Sequence, residues 1–231
     1  MSIFKNKLFW IAVIGAVVAI GFYLKPNKWE AYYQNKLGNP PHAVVVKSVG
    51  LITKGNAPLT AIDFGAGVGN EAVYLLGQGF RVIAIDSQPI AFKMMRSRED
   101  TKSYLGRLQT VESSFEAIDW KRLPQVDLFV ASLALPFCKP EAFPEIFAET
   151  KSHIKPGGIF VGHFFDPSYQ GFSEKDRQAM TFLNKDQVLD LFVEFEILHF
   201  NETKDAGKSG TGADIVSHIY EVIARKKGTG T

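Results

Sequence analysis

An apolar run, Leu59-Thr-Ala-Ile-Asp63, ends in Phe64-Gly65-Ala66-Gly67-Val68-Gly69-Asn70, and a helical pattern follows from Asn70 to Gly77. A second apolar run, Arg81-Val-Ile-Ala-Ile-Asp86, closes on an acid. Short apolar runs of this kind read as strands buried on both faces. Alternation of such strands with helices predicts a mainly parallel sheet. The three glycines let the backbone turn sharply and approach a ligand closely. The first amides of the helix then face that ligand.

The pattern continues. Pro89 to Arg98 reads as a second crossover helix, Leu108 to Ser113 as a third strand and Val126 to Ala131 as a fourth. Pro144 to Ile154 reads as a helix, Pro156-Gly157-Gly158 as a turn, and Ile159 to Phe165 as a fifth strand. Asn184 with Gln187 three residues later is a capping box for a helix reaching about Phe192. Glu194 to Phe200 and Ile215 to Ala224 form a late strand pair around a glycine-rich loop, Asp205 to Gly212. The expectation is an α/β, Rossmann-like doubly wound, mostly parallel seven-stranded sheet with an antiparallel edge. Its ligand crevice lies at the carboxyl ends of the strands.

Composition narrows the class. The chain is 46% hydrophobic and 22% charged, too apolar for a disordered chain. A net charge of +2 gives no broad basic footprint, so no nucleic-acid partner is expected. A single cysteine, Cys138, excludes an internal disulfide framework and a multi-cysteine zinc site. No two histidines stand three or four residues apart, so no helical metal pair is expected.

Residues 1–28 stand apart from a domain expected over 29–227. Leu8 to Leu24 carries no charge, with Lys5 and Lys7 before it and Lys25 and Lys28 after it. At about 1.5 Å per residue a helix of this length just crosses a hydrocarbon core of about 30 Å. Three readings are open. One is a retained single-pass anchor, favoured by Trp10 and Tyr23 near the two ends. Another is a signal peptide cleaved near Ala19 or Gly21, and the third is a buried or interfacial helix. Tyr32, Tyr33 and Lys36 read either as a lid over a ligand or as a membrane-proximal linker.

Two cofactor classes use this layout. Dinucleotide binders want a third glycine at position 70, which is Asn here, and Asp63 is an unfavourable neighbour for a pyrophosphate. A ligand with a positive centre tolerates that acid. The run from Ala61 to Asp86 resembles the class I S-adenosylmethionine-dependent methyltransferases, whose first motif is an acid followed by G-x-G-x-G and whose second strand ends in an acid. Asp127 to Phe137 and Ile154 to Gly162 resemble that family's fourth and fifth strands.

The resemblance implies S-adenosyl-L-methionine as cofactor. Asp63 and the backbone of Gly65, Ala66, Gly67 and Gly69 would line its methionine part, and Asp86 would hold the ribose hydroxyls. Ser87 would border the adenine, with Ser114 and Phe115 on its other side, and Ser132 would lie near the transferred methyl. His163 and Asp166, at the end of strand five, are the candidate catalytic residues. A core histidine and a loop-capping acid are their alternative readings. Cys138, His218 and Tyr220 read first as packing residues. The implied activity is methyl transfer to a small-molecule acceptor by a membrane-anchored enzyme with its domain in the cytoplasm. An NAD-type oxidoreductase and a non-catalytic S-adenosylmethionine-binding protein are the alternatives.

Overall fold

A computed structural model describes residues 28–53, 57–208 and 214–228. In chain order the elements are α1 (Lys28–Lys36), α2 (Ala43–Gly50), β1 (Thr60–Phe64), α3 (Asn70–Gly77), β2 (Arg81–Asp86), α4 (Pro89–Ser97) and α5 (Glu99–Lys102). Then follow β3 (Leu108–Glu112), β4 (Val126–Ala131), α6 (Phe143–Ser152), β5 (Ile154–Phe165), α7 (Glu174–Arg177), α8 (Lys185–Asp190), β6 (Phe195–Lys208) and β7 (Asp214–Lys226). The apolar run of residues 8–24 lies outside the described residues. Among those residues no helix is long and apolar enough to cross a membrane.

The strands form one seven-stranded sheet in the order β3-β2-β1-β4-β5-β7-β6. The first five are parallel, and β7 runs antiparallel to both β5 and β6. The connections leave β1 in one direction to β2 and return to β4 on its other side. That reversal opens a crevice at the carboxyl ends of β1 and β4.

Both faces of the sheet are covered, which is why the central strands read as unbroken apolar runs. Alternation along each strand sorts the residues into two cores. Ile62, Phe129 and Phe160 face a phenylalanine-rich core with Phe64, Phe147, Phe164 and Phe192. Ala61, Leu128, Val130 and Val161 face an aliphatic core with Leu75 and Leu76 of α3. Phe160 lies 5.1 Å from Phe192 and 5.8 Å from Phe147 between ring centroids. The chain's many phenylalanines are therefore concentrated on one face, where a few long side chains span the gap to α6 and the segment after α8.

Two elements differ from expectation. β5 begins at Ile154, not after the Pro156-Gly157-Gly158 turn. Val126 pairs with Ile154 and Leu128 with Ile159, so residues 155–158 loop out of a strand already in place. A side chain at Gly158 would meet Lys155 O at 2.9 Å and Val126 O at 3.1 Å. The hairpin β6–β7 runs on into the expected loop, with Asp205 paired to Ser217 and Gly207 to Ile215. The capping box is present. Gln187 N donates to Asn184 Oδ1 at 3.0 Å and Asn184 N donates to Gln187 Oε1 at 2.9 Å. The helix it starts is shorter than expected, ending at Asp190.

Candidate active site

The glycine loop leaves β1 by left-handed turns that an L-side chain resists. Gly65 has φ +75° and Gly69, which caps α3, has φ +79°. A Cβ on Gly65 would stand 2.6 Å from Ala134 Cβ. The loop is fixed to β2 because Gly65 N and Ala66 N both donate to Ile85 O at 2.9 Å. Asp63 lies beneath the loop at 2% exposure, and its Oδ2 has no partner among the described residues. Burial, and then the charge of Glu71, holds Asp63 well above the usual carboxylate range.

Asp86 ends β2 beside the loop. Its Oδ2 accepts from Gly67 N at 2.8 Å, and its Oδ1 accepts from Gln88 N at 2.9 Å and from the Tyr33 hydroxyl at 3.1 Å. Burial pushes Asp86 up, against the pull of these hydrogen bonds. Tyr33 comes from α1, which lies across the crevice. Its ring packs with Ala91 and Met94 of α4, and Trp29 meets Phe137 edge-on at 5.4 Å. Asn70 explains why no third dinucleotide-type glycine stands there. Its Nδ2 donates to Lys36 O at 2.8 Å and its Oδ1 accepts from Arg98 Nη1 at 2.6 Å. Asn70 thus ties α1 to the glycine loop, as glycine could not. Tyr32, Tyr33 and Lys36 all line the crevice that α1 crosses.

These elements enclose a cavity of about 490 Å³. Of the ten sequence-derived cofactor candidates, Gly65, Ala66, Gly67, Asp86, Ser87, Ser114, Phe115 and Ser132 lie in its wall. Asp63 and Gly69 support the loop from behind. Phe115 stacks on Phe64 at 4.2 Å, so its ring position is set by the core. Leu133, after β4, has φ +52°, a left-handed conformation uncommon for leucine. Its backbone N–H donates to His163 Nδ1 at 3.3 Å.

The two candidate catalytic residues are not in the wall, which corrects their expected place. His163 sits behind Leu133 at 5% exposure, with Nε2 3.6 Å from Glu221 Oε2, and burial pushes its pKa down. Asp166 accepts the Tyr220 hydroxyl at 2.6 Å and Ser168 N at 2.8 Å and pairs with His218 at 3.1 Å. The strand-end rule located both backbones correctly, but their side chains turn toward β7. Cys138 is fully buried, and burial raises its thiol pKa.

The histidine that does line the cavity is His42, paired there with Glu71, and sequence reasoning missed both. His42 Nδ1 lies 2.7 Å from Glu71 Oε1 and 2.9 Å from Ser132 Oγ. They stand far apart in sequence on two elements, so no local motif links them. Trp29, Phe137 and Met180 were also missed as lining residues.

Residues 61–158 match the family model described as a methyltransferase domain. TehB from Haemophilus influenzae superposes with a TM-score of 0.67 at 20% identity, over 87% of this chain and 68% of that one. The Burkholderia thailandensis 1,6-didemethyltoxoflavin-N1-methyltransferase, solved with 1,6-didemethyltoxoflavin and S-adenosylhomocysteine, gives 0.59 at 16%, over 97% and 89%. The N-methyltransferase NodS from Bradyrhizobium japonicum, solved with S-adenosylhomocysteine, gives 0.58 at 14%, over 89% and 91%. A curated relative, hemagglutinin 1 of Eikenella corrodens, is 23% identical over 205 residues, and the aligned region spans 85% of this chain and 63% of that protein's length.

The glycine loop and the strand-end acid both fall within the matched methyltransferase domain, on a fold shared with S-adenosylmethionine-dependent methyltransferases. The likeness of fold extends to TehB-type structures.

The residues present suit that cofactor. Asp86 can take ribose hydroxyls, the bare Gly67 lets the chain approach, and Glu71 supplies negative charge near the loop.

Proposed function

We propose that this chain transfers a methyl group from S-adenosylmethionine to a small, apolar acceptor held between α1 and the loop after β4. The carrying observation is that one cavity joins the glycine loop and Asp86 at one side to Trp29, Tyr32, Leu133, Phe137 and Met180 at the other. The first side suits the cofactor, and the second is mainly apolar, with Lys175 and Asp176 also bordering the cavity. When bound, the cofactor supplies an electrophilic methyl on a sulfonium. The protein's residues then have to align an acceptor and exclude water. Alignment alone supplies roughly 7–11 kcal/mol. The similarly folded 1,6-didemethyltoxoflavin-N1-methyltransferase, solved with 1,6-didemethyltoxoflavin bound, supports a small-molecule acceptor.

The same proposal includes a tether. The uncharged run from Leu8 to Leu24, flanked by lysines, would hold the domain against a membrane on its cytoplasmic side. Carbonate extraction of membranes from cells making the full chain tests this. Retention in the pellet supports a spanning anchor, and release to the supernatant removes it.

Calorimetric titration of the detergent-solubilised chain with S-adenosylmethionine, S-adenosylhomocysteine and NAD tests the activity class. Micromolar binding of the first two without NAD is expected. Binding of NAD alone would sink the reading.

A further inference from the structure

His42 is the residue in the cavity that the fold does not account for. It stands at the N-cap of α2, where helices favour Ser, Thr, Asp or Asn, yet its side chain makes no cap bond. Its ring is turned to Glu71 instead. Glu71 Oε1 accepts the His42 backbone N–H at 3.1 Å and lies 2.7 Å from Nδ1. Two bonds from one residue to one oxygen fix the ring's orientation. The Glu71 side chain is 12% exposed, whereas the ring is 45% exposed and borders the cavity. A ring whose Nδ1–H is held by a carboxylate presents a bare Nε2 lone pair. Among the described residues, nothing bonds that Nε2.

We propose that His42, oriented by Glu71, is the base for an acceptor whose nucleophile carries a proton at neutral pH: a hydroxyl on a flat, apolar body such as a phenol. This rests on the methyltransferase reading above. The acceptor oxygen forms its bond to the methyl carbon as the carbon–sulfur bond breaks, and that bonding pair returns to sulfur. The hydroxyl proton passes to His42 Nε2, leaving an imidazolium beside the Glu71 carboxylate. That proton later leaves to water. Trp29, Tyr32, Phe137 and Leu133 supply the apolar walls for the acceptor's body.

The surrounding charges favour this. Burial would raise Glu71, but the hydrogen bonds and charge of His42 hold it below the usual carboxylate range. It is therefore ionised when the ring takes a proton. His163, on β5, meets the His42 ring edge-on at 5.4 Å, with Glu221 behind it. Burial keeps His163 neutral, so it does not oppose a charged neighbour. Asp63 lies in Glu71's field from β1 and Tyr32 from α1, while Lys36 borders the same cavity. A positioned base contributes about a hundredfold or more.

The test compares the full wild-type chain with His42→Gln and Glu71→Gln. Calorimetry reads affinity for S-adenosylmethionine and S-adenosylhomocysteine. Nitrogen-15 NMR of the imidazoles in the S-adenosylhomocysteine complex reads the tautomer. Transfer of labelled methyl to 4-methylphenol and to thiophenol, the latter ionised at about pH 8, reads the need for a base. In His42→Gln, cofactor affinity should stay within about threefold, and phenol transfer should fall at least about thirtyfold more than thiophenol transfer. Wild-type Nε2 should be unprotonated, and Glu71→Gln should erase that preference. A protonated Nε2, or a tenfold loss of cofactor affinity in His42→Gln, makes His42 a cofactor ligand and overturns the proposal. Equal losses with both acceptors overturn it as well. If neither probe is methylated by wild type, the tautomer and the affinities decide alone. Failure of wild type to bind the cofactor would instead sink the methyltransferase reading.

Discussion

Tyr33 donates its hydroxyl to Asp86 Oδ1, so the lid helix is latched to the acid that ends β2. A carboxylate offers about four lone-pair sites. Tyr33, Gln88 and Gly67 take three of them, and the Ser87 backbone also bonds this carboxylate. A ribose hydroxyl presented to Asp86 gains a site by displacing Tyr33. Tyr33→Phe should therefore tighten S-adenosylmethionine binding, by up to about 1.5 kcal/mol. Calorimetry checks this, and a weakening beyond about fivefold would show that the tyrosine belongs to the bound site.

Gly65 and Gly67 share left-handed geometry but not surroundings. A Cβ on Gly65 meets the short, rigid Ala134, whereas one on Gly67 (φ +50°) meets the Tyr33 ring edge at 3.3 Å. Gly65→Ala should cost about 2 kcal/mol or more of stability and at least tenfold in cofactor affinity. Gly67→Ala should cost about 1 kcal/mol and displace the lid. Chemical denaturation of the two variants distinguishes them; equal costs would refute the contact argument.

Asp63 predicts a pH effect. Burial raises its folded pKa, so the unfolded chain releases this proton first as pH rises. Across the window from the ordinary value of 3.8 up to the folded one, the native state holds more protons and stability falls with rising pH. Asp63→Asn should remove that fall, gaining on wild type as pH rises. Thermal melts from about pH 4.5 to 8 test this, and parallel wild-type and variant curves would contradict it.

Glu221 has the opposite sign. Hydrogen bonding from His163, and also from His199 at 2.7 Å, outweighs burial and holds it at about 2. Its stabilisation is present above 4.5 and is lost as pH falls through about 2. Glu221→Gln should be less stable than wild type at neutral pH, and the gap should close in acid. A gap independent of pH would assign the loss to packing.

How much of this the sequence shows depends on the range of each signal. α3, β2 and β4 are legible to the residue, because an apolar run buried on both faces and a glycine stop are local features. β5 was read too short because Pro156-Gly157-Gly158 is a good turn, and only its pairing with β4 shows that the strand has already begun. Asp86 was legible because strand order places it. The Tyr33 latch, the Asn70 tie and the His42–Glu71 pair join distant segments through tertiary contact alone. His163 and Asp166 show the converse: the strand end was right, but side-chain direction depends on what β7 offers.

Trp29, Tyr32 and Tyr33 lie within little more than a turn of α1, with Tyr33 on Asp86 and its neighbours in the wall proposed for the acceptor. If a ribose replaces the latch, that wall takes its final shape only afterwards. The kinetic consequence would be a compulsory order. The methyl donor would enter first and its spent thioether leave last, so that product should compete with the donor and never with the acceptor.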